Sequence, residues 1–450
     1  MLHSTVPCVA SKADVSTHLN SRYAAVHELF GEWEGEMNPE DRADLVEAYF
    51  KEAALGESQR VGNGASVYVS PTEVASSRQV NILVIGRHDV QDLVSPTVVS
   101  AADATMQGPG TASRLGPTVA FGEGLQAARA LTGDDRVAVS FLSLGEGDSV
   151  SDLSAILPTA GVPSITIPSI SKTGPDAVFL TNSTSWSPQH PTITTGCRGQ
   201  LTVQLSLQAG QNFDDFLGSG ALRNPLTKMA QILGKLRDDR GRIAIDDFYN
   251  RAQAPGDDAR AALSAGGHDP DQWAERADIA RFSGRLSTLE RATLWPGFSV
   301  LDIGTDSPST TRSPASAVAT VAFYLVPDQR HSEVEAAVRR WFLDSAPAEL
   351  RPSIHVLSST RPFRESVDSL AIAAQTRAAY RVHGQQPIHV PAGGPAGSGE
   401  VSYMVGAPVA FAGISPPSAT FGTTHEALPW SQFSVATELA AETILQLRRG

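Results

Sequence analysis

The stretch Val80-Asn-Ile-Leu-Val-Ile85 is short and almost wholly apolar, and it ends at Gly86. A run of this kind predicts a strand buried on both faces of a sheet, because a strand with one wet face alternates apolar and polar residues. Residues 136–142 and 177–181 repeat the pattern. Between the first two runs, residues 116–131 end in a helical pattern with one apolar face. Strand, helix and strand at this spacing predict an α/β domain with a parallel sheet.

The two ends of the chain predict helices. Over the first 60 residues, Asn38-Pro39-Glu40-Asp41 supplies a capping side chain, a proline for the first helical position and acids for the first turn. Near the C-terminus an apolar stripe runs opposite two glutamates, which predicts an amphipathic helix. The stripe consists of Ala436, Leu439, Ile444 and Leu447, and the glutamates are Glu438 and Glu442.

The pattern changes in the middle of the chain. Residues 201–207 and 317–325 alternate apolar and polar residues, so each predicts a strand with one wet face. Residues 251–290 are rich in Ala, Asp and Arg and predict helices, and Ser332 with Glu335 predicts a capping box at the start of another helix. This block therefore predicts a separate α+β domain.

The first pattern resumes at about residue 362, so the simplest arrangement is a sheet domain interrupted by an inserted domain. We predict an α/β domain built from residues 1–198 and 362–450, with the inserted α+β domain at residues 199–361. A chain of 450 residues is long enough for two or three domains, which agrees with this division.

Composition narrows the functional classes. The net charge of −13 argues against general binding to nucleic acid or to anionic membranes. The chain has two cysteines, Cys8 and Cys197, which are too few for a disulfide framework or a cysteine-based zinc cluster. Neither a signal peptide nor an apolar run of about 18 residues is visible in the sequence. These features predict a soluble cytoplasmic protein that binds neither nucleic acid nor membrane.

The inserted block carries the most specific motifs. They are Gly196-Cys-Arg-Gly199, Asn224-Pro225, Gly241-Arg-Ile-Ala-Ile245 with Phe248-Tyr249, Ser313-Pro-Ala-Ser-Ala317 and Phe323-Tyr-Leu-Val-Pro327. In this order and at these spacings, they closely resemble the M20 metallopeptidases, in particular the carnosinase-like dipeptidases. The resemblance extends over nearly the whole chain. It implies a zinc-peptidase-like α/β domain interrupted by an inserted lid domain that often dimerises, and hence a homodimer formed through that lid.

The resemblance also implies a specific metal site. Members of this family hold two zinc ions with two histidines and three carboxylates, and a further glutamate acts as general base on the bridging water. Two metal ions at this spacing polarise the carbonyl group and generate hydroxide at neutral pH. Each ligand must offer a lone pair on oxygen or nitrogen.

The first ligand position departs from the family pattern. The family's Gly-His-x-Asp-Val-Gln appears here as Gly86-Arg-His-Asp-Val-Gln91, with Arg87 in place of the histidine ligand. A guanidinium has no lone pair to offer a metal. Asp89, which in the family orients that histidine, is retained.

The next two motifs depart as well. In Gly108-Pro-Gly-Thr-Ala-Ser-Arg-Leu-Gly116, Ser113 replaces the bridging aspartate. In Leu144-Gly-Glu-Gly-Asp148, Gly147 matches the general base, and Asp148 matches a ligand that could still bind one metal. A register slip of one residue would instead place Glu146 at the base position, but it would also exchange the residues that face the site.

The last ligands are altered in the same way. Asn182 stands for an aspartate, so it keeps an acceptor oxygen and loses the charge. The family's His-Ser-x-Asn-Glu matches Gly422-Thr-Thr-His-Glu426, which places glycine at the histidine ligand and leaves His425 as a shifted substitute. In the lid, the histidine that reaches a neighbouring active site is missing, and Pro391 replaces an arginine that grips substrate carboxylates in relatives. We therefore predict that the chain uses no metal cofactor.

The replacements suggest a different chemistry. Arg87 and Arg114 bring positive charge to loops that would otherwise surround two dications, and they predict binding of a substrate carboxylate. Both arginines could equally form internal ion pairs or lie in solvent. The full set of predicted substrate-binding residues is Arg87, Arg114, Asp148, Asn182 and Arg198, where Arg198 also suits a structural role at the hinge. The predicted acid–base residues are His88, Asp89, His425 and Glu426, of which the histidines could also be ordinary polar residues.

Three functions remain open from the sequence. The first is a repurposed, metal-independent enzyme that acts on an amino-acid-like or amide-containing small molecule by condensation, cyclisation, elimination or acyl transfer, as in specialised metabolism. The second is a pseudoenzyme that pairs with itself or with an active relative. The third is residual amidohydrolase activity at a rebuilt single-metal site that uses Asp148, His88 or His425.

Overall fold

The computed structural model describes most of the chain. The described residues are 12–32, 38–53, 55–71, 80–89, 105–133, 136–149, 152–159, 174–181, 190–210, 213–214, 223–239, 241–265, 286–305, 308, 312–392, 397–413 and 426–448.

Helices and strands alternate along these residues. The helices are α1 Lys12–Glu32, α2 Pro39–Glu52, α3 Gly116–Thr132, α4 Leu153–Thr159, α5 Pro225–Gly234, α6 Asp257–Ala265, α7 Thr288–Thr293, α8 His331–Ser345, α9 Leu370–His383, α10 Ser398–Val405 and α11 Trp430–Leu447. The strands are β1 Glu57–Val61, β2 Ser66–Ser70, β3 Val80–Arg87, β4 Thr105–Gln107, β5 Val137–Leu144, β6 Ala177–Leu180, β7 Thr192–Cys197, β8 Gly199–Gln208, β9 Phe213–Asp214, β10 Gly297–Gly304, β11 Arg312–Ser313, β12 Ser316–Leu325, β13 Ser353–Thr360, β14 Phe363–Arg364, β15 Ile388–Ala392, β16 Val409–Phe411 and β17 Ala427–Pro429.

A six-stranded sheet in the order β1-β2-β5-β3-β6-β16 forms the centre of the α/β part. The strands β5, β3, β6 and β16 run parallel, whereas β1 and β2 form an antiparallel hairpin at one edge. In the middle of the sheet, Val84 lies between Phe141 and Phe179, and all three side chains are buried. The parallel strands predicted from the apolar runs are therefore confirmed. The prediction of helices over the first 60 residues is confirmed at α1 and α2 and wrong from Glu57, where β1 begins, while residues 1–11, 33–37 and 54 lie outside the described residues.

The helices α3, α9 and α11 cover this sheet, and two of them approach very closely. A Cβ atom on Gly124 of α3 would lie 2.6 Å from Cβ of Ala440 and 3.0 Å from the carbonyl oxygen of Thr437, so only glycine allows this packing. The prediction that α11 has a wet face is wrong. Glu442 is buried, and its carboxylate forms an ion pair with Nε of Arg381 on α9 at 2.7 Å, because α9 covers this side of α11.

The inserted segment forms a four-stranded antiparallel sheet in the order β10-β12-β8-β13. One face of this sheet packs under α5 and α8, with Leu205, Phe323 and Phe342 in a separate core. The predicted capping box is wrong, because α8 begins at His331 and no side chain caps its N-terminus. A capping box does form further back, between Ser287 and Glu290 at the start of α7. Part of the predicted helical block, residues 266–285, lies outside the described residues.

Two short connections join the inserted segment to the rest of the chain. Strand β7 pairs with β14 and β15 in a small sheet on the α/β side, and β8 of the inserted sheet starts two residues after β7 ends. On the return, β13 ends at Thr360 and β14 begins at Phe363. These bounds support the predicted division at residues 198/199 and 361/362, which remains a prediction. Within the described part of the chain, no helix is both long and apolar enough to cross a membrane.

Candidate functional site

The candidate site lies at the carboxyl ends of β3 and β5, where α/β sheets bind their ligands. Arg87, the last residue of β3, pairs in register with Leu144, the last residue of β5. The amide of His88 donates a 2.9 Å hydrogen bond to the carbonyl oxygen of Leu144, so the two segments remain paired one residue beyond the end of β3. This pairing brings Arg87, Asp89 and the segment that ends at Asp148 to one edge of the sheet.

An ion pair between Arg87 and Asp89 forms the centre of the site. Nε of Arg87 donates to one oxygen of Asp89 at 2.7 Å, and Nη2 donates to the other oxygen at 2.8 Å. Two parallel hydrogen bonds of this kind give the pair both strength and a fixed orientation. Nη2 also lies 3.3 Å from the carbonyl oxygen of Asp148. Of the three interpretations that the sequence left open for Arg87, the structure shows the internal ion pair.

Arg114 is the second arginine of the site. It lies in a π-helical turn, Thr111–Leu115, that leads directly into α3. Its Nη1 is 3.5 Å from Oδ1 of Asp89, a longer contact than either of those that Arg87 makes. Burial lowers the pKa of Arg114, as does the neighbouring charge of Arg87, while Asp89 and Glu426 act in the opposite direction. Among the described residues, Asp89 is thus the one carboxylate within ion-pair distance of Arg114.

Glu426 holds the π-helical turn in place. Its Oε2 accepts hydrogen bonds from the amides of Ala112 at 3.1 Å and Ser113 at 3.0 Å, and its Oε1 accepts one from the hydroxyl of Ser113 at 2.7 Å. A carboxylate at the start of a helix is also stabilised by the helix dipole. The side chain of Glu426 is buried, and its hydrogen bonds stabilise the π-helical turn.

Asp148 faces the β1–β2 hairpin. Its Oδ2 accepts a 2.6 Å hydrogen bond from the hydroxyl of Ser66 and a 3.3 Å hydrogen bond from the amide of Asn63. The carboxylate also occupies the space above Gly62, because a Cβ atom there would lie 2.2 Å from Oδ2. Arg87 therefore contacts the backbone carbonyl of Asp148, whereas the carboxylate of Asp148 binds the hairpin.

His88 is buried beneath the same hairpin. Its Nε2 donates to the carbonyl oxygen of Ala65 at 2.9 Å, so in the neutral ring Nδ1 accepts a 2.8 Å hydrogen bond from the hydroxyl of Ser143. Burial lowers the pKa of His88 to about 4. Both ring nitrogens are engaged and the neutral form dominates at pH 7, which favours a structural role over the predicted acid–base role.

Arg198 lies away from this cluster, between β7 and β8. Its guanidinium lies over the ring of Tyr324, 4.6 Å from the ring centroid, and Nη1 donates to the carbonyl oxygen of Arg291 at 3.2 Å. Burial lowers its pKa to about 10. These contacts support the structural role at the hinge. The remaining predicted residues, Asn182 and His425, lie outside the described residues.

The position of the expected general base cannot easily carry a side chain. Gly147 has φ of 83°, in the left-handed region, and a Cβ atom there would lie 2.7 Å from Nδ2 of Asn63. The alternative base, Glu146, accepts a 2.9 Å hydrogen bond from Arg42 of α2 and is directed to the outside of the domain. The structure thus argues against the slipped register.

Sequence reasoning missed the hairpin and its neighbours. Asn63, Ser66 and Ser143 hold Asp148 and His88, yet they are far from them in the chain and belong to no motif of the family. The only signal was weak: Ser66 and Ser143 stand within or beside apolar runs, where a buried hydroxyl needs a hydrogen-bond partner.

Among the described residues, the acidic side chains at this edge of the sheet do not fit a pair of zinc ions, because each is already engaged within the protein. Asp89 is occupied by a guanidinium, Asp148 by the hairpin and Glu426 by the start of α3. Over the residues that the structure describes, no group of three or more His, Cys, Asp or Glu side chains is placed to hold a metal ion.

A cavity of about 390 Å³ lies between α3, α9 and α11. Phe121, Leu439 and Phe411 are among its walls, whereas Arg87, Asp89 and Arg114 are not among the described residues that line it. The cavity is therefore distinct from the ion-pair cluster.

The fold places the chain in a known class, an α/β domain of zinc-peptidase type interrupted by an α+β insertion. An M20 family metallo-carboxypeptidase from Sulfolobus solfataricus, Sso-CP2, superposes with a TM-score of 0.78 at 17% identity, over 95% of this chain and 99% of that one. Human carnosine dipeptidase 1 superposes with a TM-score of 0.72 at 18% identity, over 99% of this chain and 100% of that one.

Sequence comparison points to the same family, although no protein-family model matches the chain. The human Beta-Ala-His dipeptidase is 24% identical over 351 residues, which cover 73% of this chain and 68% of that protein. The rat Beta-Ala-His dipeptidase is 22% identical over 358 residues, covering 73% of this chain and 70% of its own length. In sequence and in fold, the chain is thus similar to the M20 metallopeptidases.

Proposed function

We propose that this M20-like protein works without paired zinc ions and binds an amino-acid-like small molecule at the carboxyl ends of β3 and β5. The observation that carries the proposal is Arg87. It stands at the first ligand position of the family motif and is joined to Asp89 by two short hydrogen bonds. A guanidinium at that position can neither bind a metal nor leave the carboxylate free for one.

The state of the other acidic groups supports a binding role. Asp148 and Glu426 each accept short hydrogen bonds from the protein, and His88 has both nitrogens engaged. A general base must instead reach the proton that it removes from a substrate. On this proposal the described residues at this edge of the sheet recognise a ligand, and the peptide-hydrolysing step of the active relatives is not performed.

Metal content and peptidase activity test this proposal together. After incubation with zinc and desalting, elemental analysis should find no stoichiometric zinc, and β-alanyl-histidine should not be hydrolysed. Zinc should also leave the melting temperature unchanged, because a metal bound only to the native state would raise it. Two equivalents of tightly bound zinc together with dipeptide turnover would overturn the proposal. One equivalent would point to the rebuilt single-metal site.

Arg114 favours a second candidate, a metal-independent enzyme. A cation that is only partly compensated can stabilise negative charge that develops on a substrate during condensation, cyclisation, elimination or acyl transfer. An acid–base group would then be needed, and His425 is the candidate that the sequence offers. A mass-spectrometric search for products formed from amino acids and amides distinguishes the two, since the binding role predicts ligand depletion without new products. Loss of any such product in His425→Ala would assign the base.

We further propose a homodimer formed through the inserted domain. Its edge strand β10 exposes three large apolar side chains, those of Val300, Leu301 and Ile303. Exposed apolar residues on a sheet edge favour pairing with another chain. Light scattering should give the mass of a dimer, and Leu301→Lys should shift it towards the monomer. Val367→Lys, which changes an exposed apolar residue in the α/β domain, should leave the dimer intact. A monomeric wild type would refute this part of the proposal.

A further inference from the structure

The backbone that carries Arg114 is held from both sides. The amides of Arg114 and Leu115 donate to the carbonyl oxygen of Gly110 at 3.0 Å and 2.9 Å. From the other side, Glu426 binds the amides of Ala112 and Ser113. A π-helical turn of this kind is uncommon and occurs frequently at functional sites. These hydrogen bonds therefore fix the backbone position of Arg114.

The guanidinium of Arg114 is held far less than its backbone. Its one ion pair with a described residue is the 3.5 Å contact to Asp89, whose two oxygens already accept the shorter hydrogen bonds of Arg87. An arginine offers five N–H donors, and among the described residues only Asp89 lies within ion-pair distance of the guanidinium of Arg114. The side chain is 23% exposed, so a small molecule in solution can reach it.

Gly110 provides the room for this arrangement. Its φ is 76°, and a Cβ atom there would lie 3.2 Å from both Cβ and Cγ of Arg114. The side chain of Arg114 thus passes directly over a residue that has none. The absence of a side chain at Gly110 therefore leaves space for the side chain of Arg114 at this position.

Apart from Asp89, the neighbouring described acids have their carboxylates engaged in hydrogen bonds elsewhere. Glu426 lies close enough to influence it, but its oxygens accept hydrogen bonds from Ala112 and Ser113. Asp148 is bound to the hairpin. Among the described residues, the two guanidinium groups therefore share the single carboxylate of Asp89.

We infer that Arg114 is the anchor for a carboxylate group of the ligand, which it binds through two parallel N–H···O hydrogen bonds. This inference rests on the proposed binding function and names its ligand class: small molecules with a free carboxylate, such as N-acylated amino acids. The same molecule with a neutral amide in place of the carboxylate lacks the charge and one of the two acceptors. Arg87 keeps Asp89 occupied, which leaves Arg114 to the ligand.

Calorimetric titration with N-acetyl-L-phenylalanine and N-acetyl-L-phenylalaninamide tests the anchor, because the two probes differ only at the terminal group. The acid should bind wild type at least about tenfold more tightly than the amide, as expected for charge-assisted hydrogen bonds. In Arg114→Gln this preference should disappear. Arg114→Lys should lose most of it, because an ammonium cannot form the two parallel bonds.

Arg60→Gln is the matched control. Arg60 lies on β1 with similar exposure, 26% against 23%, and its removal changes the net charge by the same amount. It should preserve the preference for the acid. Equal affinity of the two probes for wild type, a preference that survives Arg114→Gln, or failure of the acid to bind at millimolar concentration would each overturn the anchor. The titration is performed in the presence of a chelator, so that zinc cannot affect ligand binding. Zinc found in the separate metal analysis would contradict the proposed function, whereas the role of Arg114 is decided by the titration alone.

Discussion

Arg87 and Asp89 are two residues apart, and their side chains point to the same region because the chain leaves the sheet between them. The sequence predicted both residues as members of the site and left open whether Arg87 binds a ligand, forms an internal pair or lies in solvent. The choice depended on the distance between the side chains, which spacing in the sequence does not determine.

Removing Arg87 should leave Asp89 with one distant partner. Asp89 is only 6% exposed, so we expect Arg87→Leu to lower the free energy of unfolding by about 3 kcal/mol, as when one member of a buried ion pair is deleted. Urea denaturation measures the change. The double variant Arg87→Leu with Asp89→Leu should recover most of the loss, since no unpaired charge remains. A double variant less stable than the single one would contradict this account.

The buried His88 should make stability depend on pH. Its pKa is about 4 in the folded protein against 6.5 for an ordinary histidine, so between these values the unfolded chain binds more protons. Stability should therefore fall as pH decreases from about 6.5 to about 4, with a loss of about 2 kcal/mol by pH 5.

Urea denaturation at pH 7.5 and pH 5 measures this effect by comparison of variants. His88→Gln should lose less stability than wild type over this range, whatever its absolute stability. His355→Gln, at an exposed position of β13, should keep the wild-type dependence. An identical pH dependence in wild type and His88→Gln would show that the imidazole is not responsible.

At the scale of elements, the sequence predicted best where one physical signal dominated. The apolar runs of β3, β5 and β6 reflect burial on both faces, and no other arrangement of the chain satisfies them as well. The Asn38-Pro39 start of α2 was also predicted correctly, because cap and helix are neighbours in the chain. The helices α8 and α11 were described less well. Their ends and faces depend on partners such as α9 that local patterns do not reveal.

Weakening the hydrogen bonds of Glu426 should destabilise the π-helical turn before α3. Glu426→Gln keeps the size of the side chain but removes its charge and one of its two acceptor oxygens. We expect a loss of about 1–3 kcal/mol in unfolding free energy and faster hydrogen exchange at the amides of Ala112 and Ser113. Glu57→Gln, an exposed position on β1, should change neither quantity. Unchanged exchange at both amides would show that Glu426 does not hold the turn.

At the scale of the whole molecule, the inserted segment has a core of its own. Its buried residues extend from Leu201 to Ile354, and the two larger clusters of the α/β part contain none of them. The change along the sequence from continuous apolar runs to alternating apolar and polar residues predicted this division. A sheet that is covered on one face needs apolar side chains on that face only. The orientation of the two parts could not be predicted in this way, since it depends on few residues at the hinge.

A core of this kind should fold without the rest of the chain. We expect residues 199–361, expressed alone, to show strand and helix signals in circular dichroism and a single cooperative transition in urea. The variant Phe323→Ala should lower the midpoint of this fragment strongly, because Phe323 is fully buried in that core. A fragment without a cooperative transition would argue against the domain division.

The β1–β2 hairpin bears on how readily the site can change by mutation. Through Ser66 and Ala65 it binds both Asp148 and His88, while Arg87 binds Asp89 from the other side. Any one substitution releases at most one of these groups and leaves the others in place. Freeing Asp89, Asp148 and His88 together would therefore require several substitutions, each of which removes hydrogen bonds that the folded protein uses.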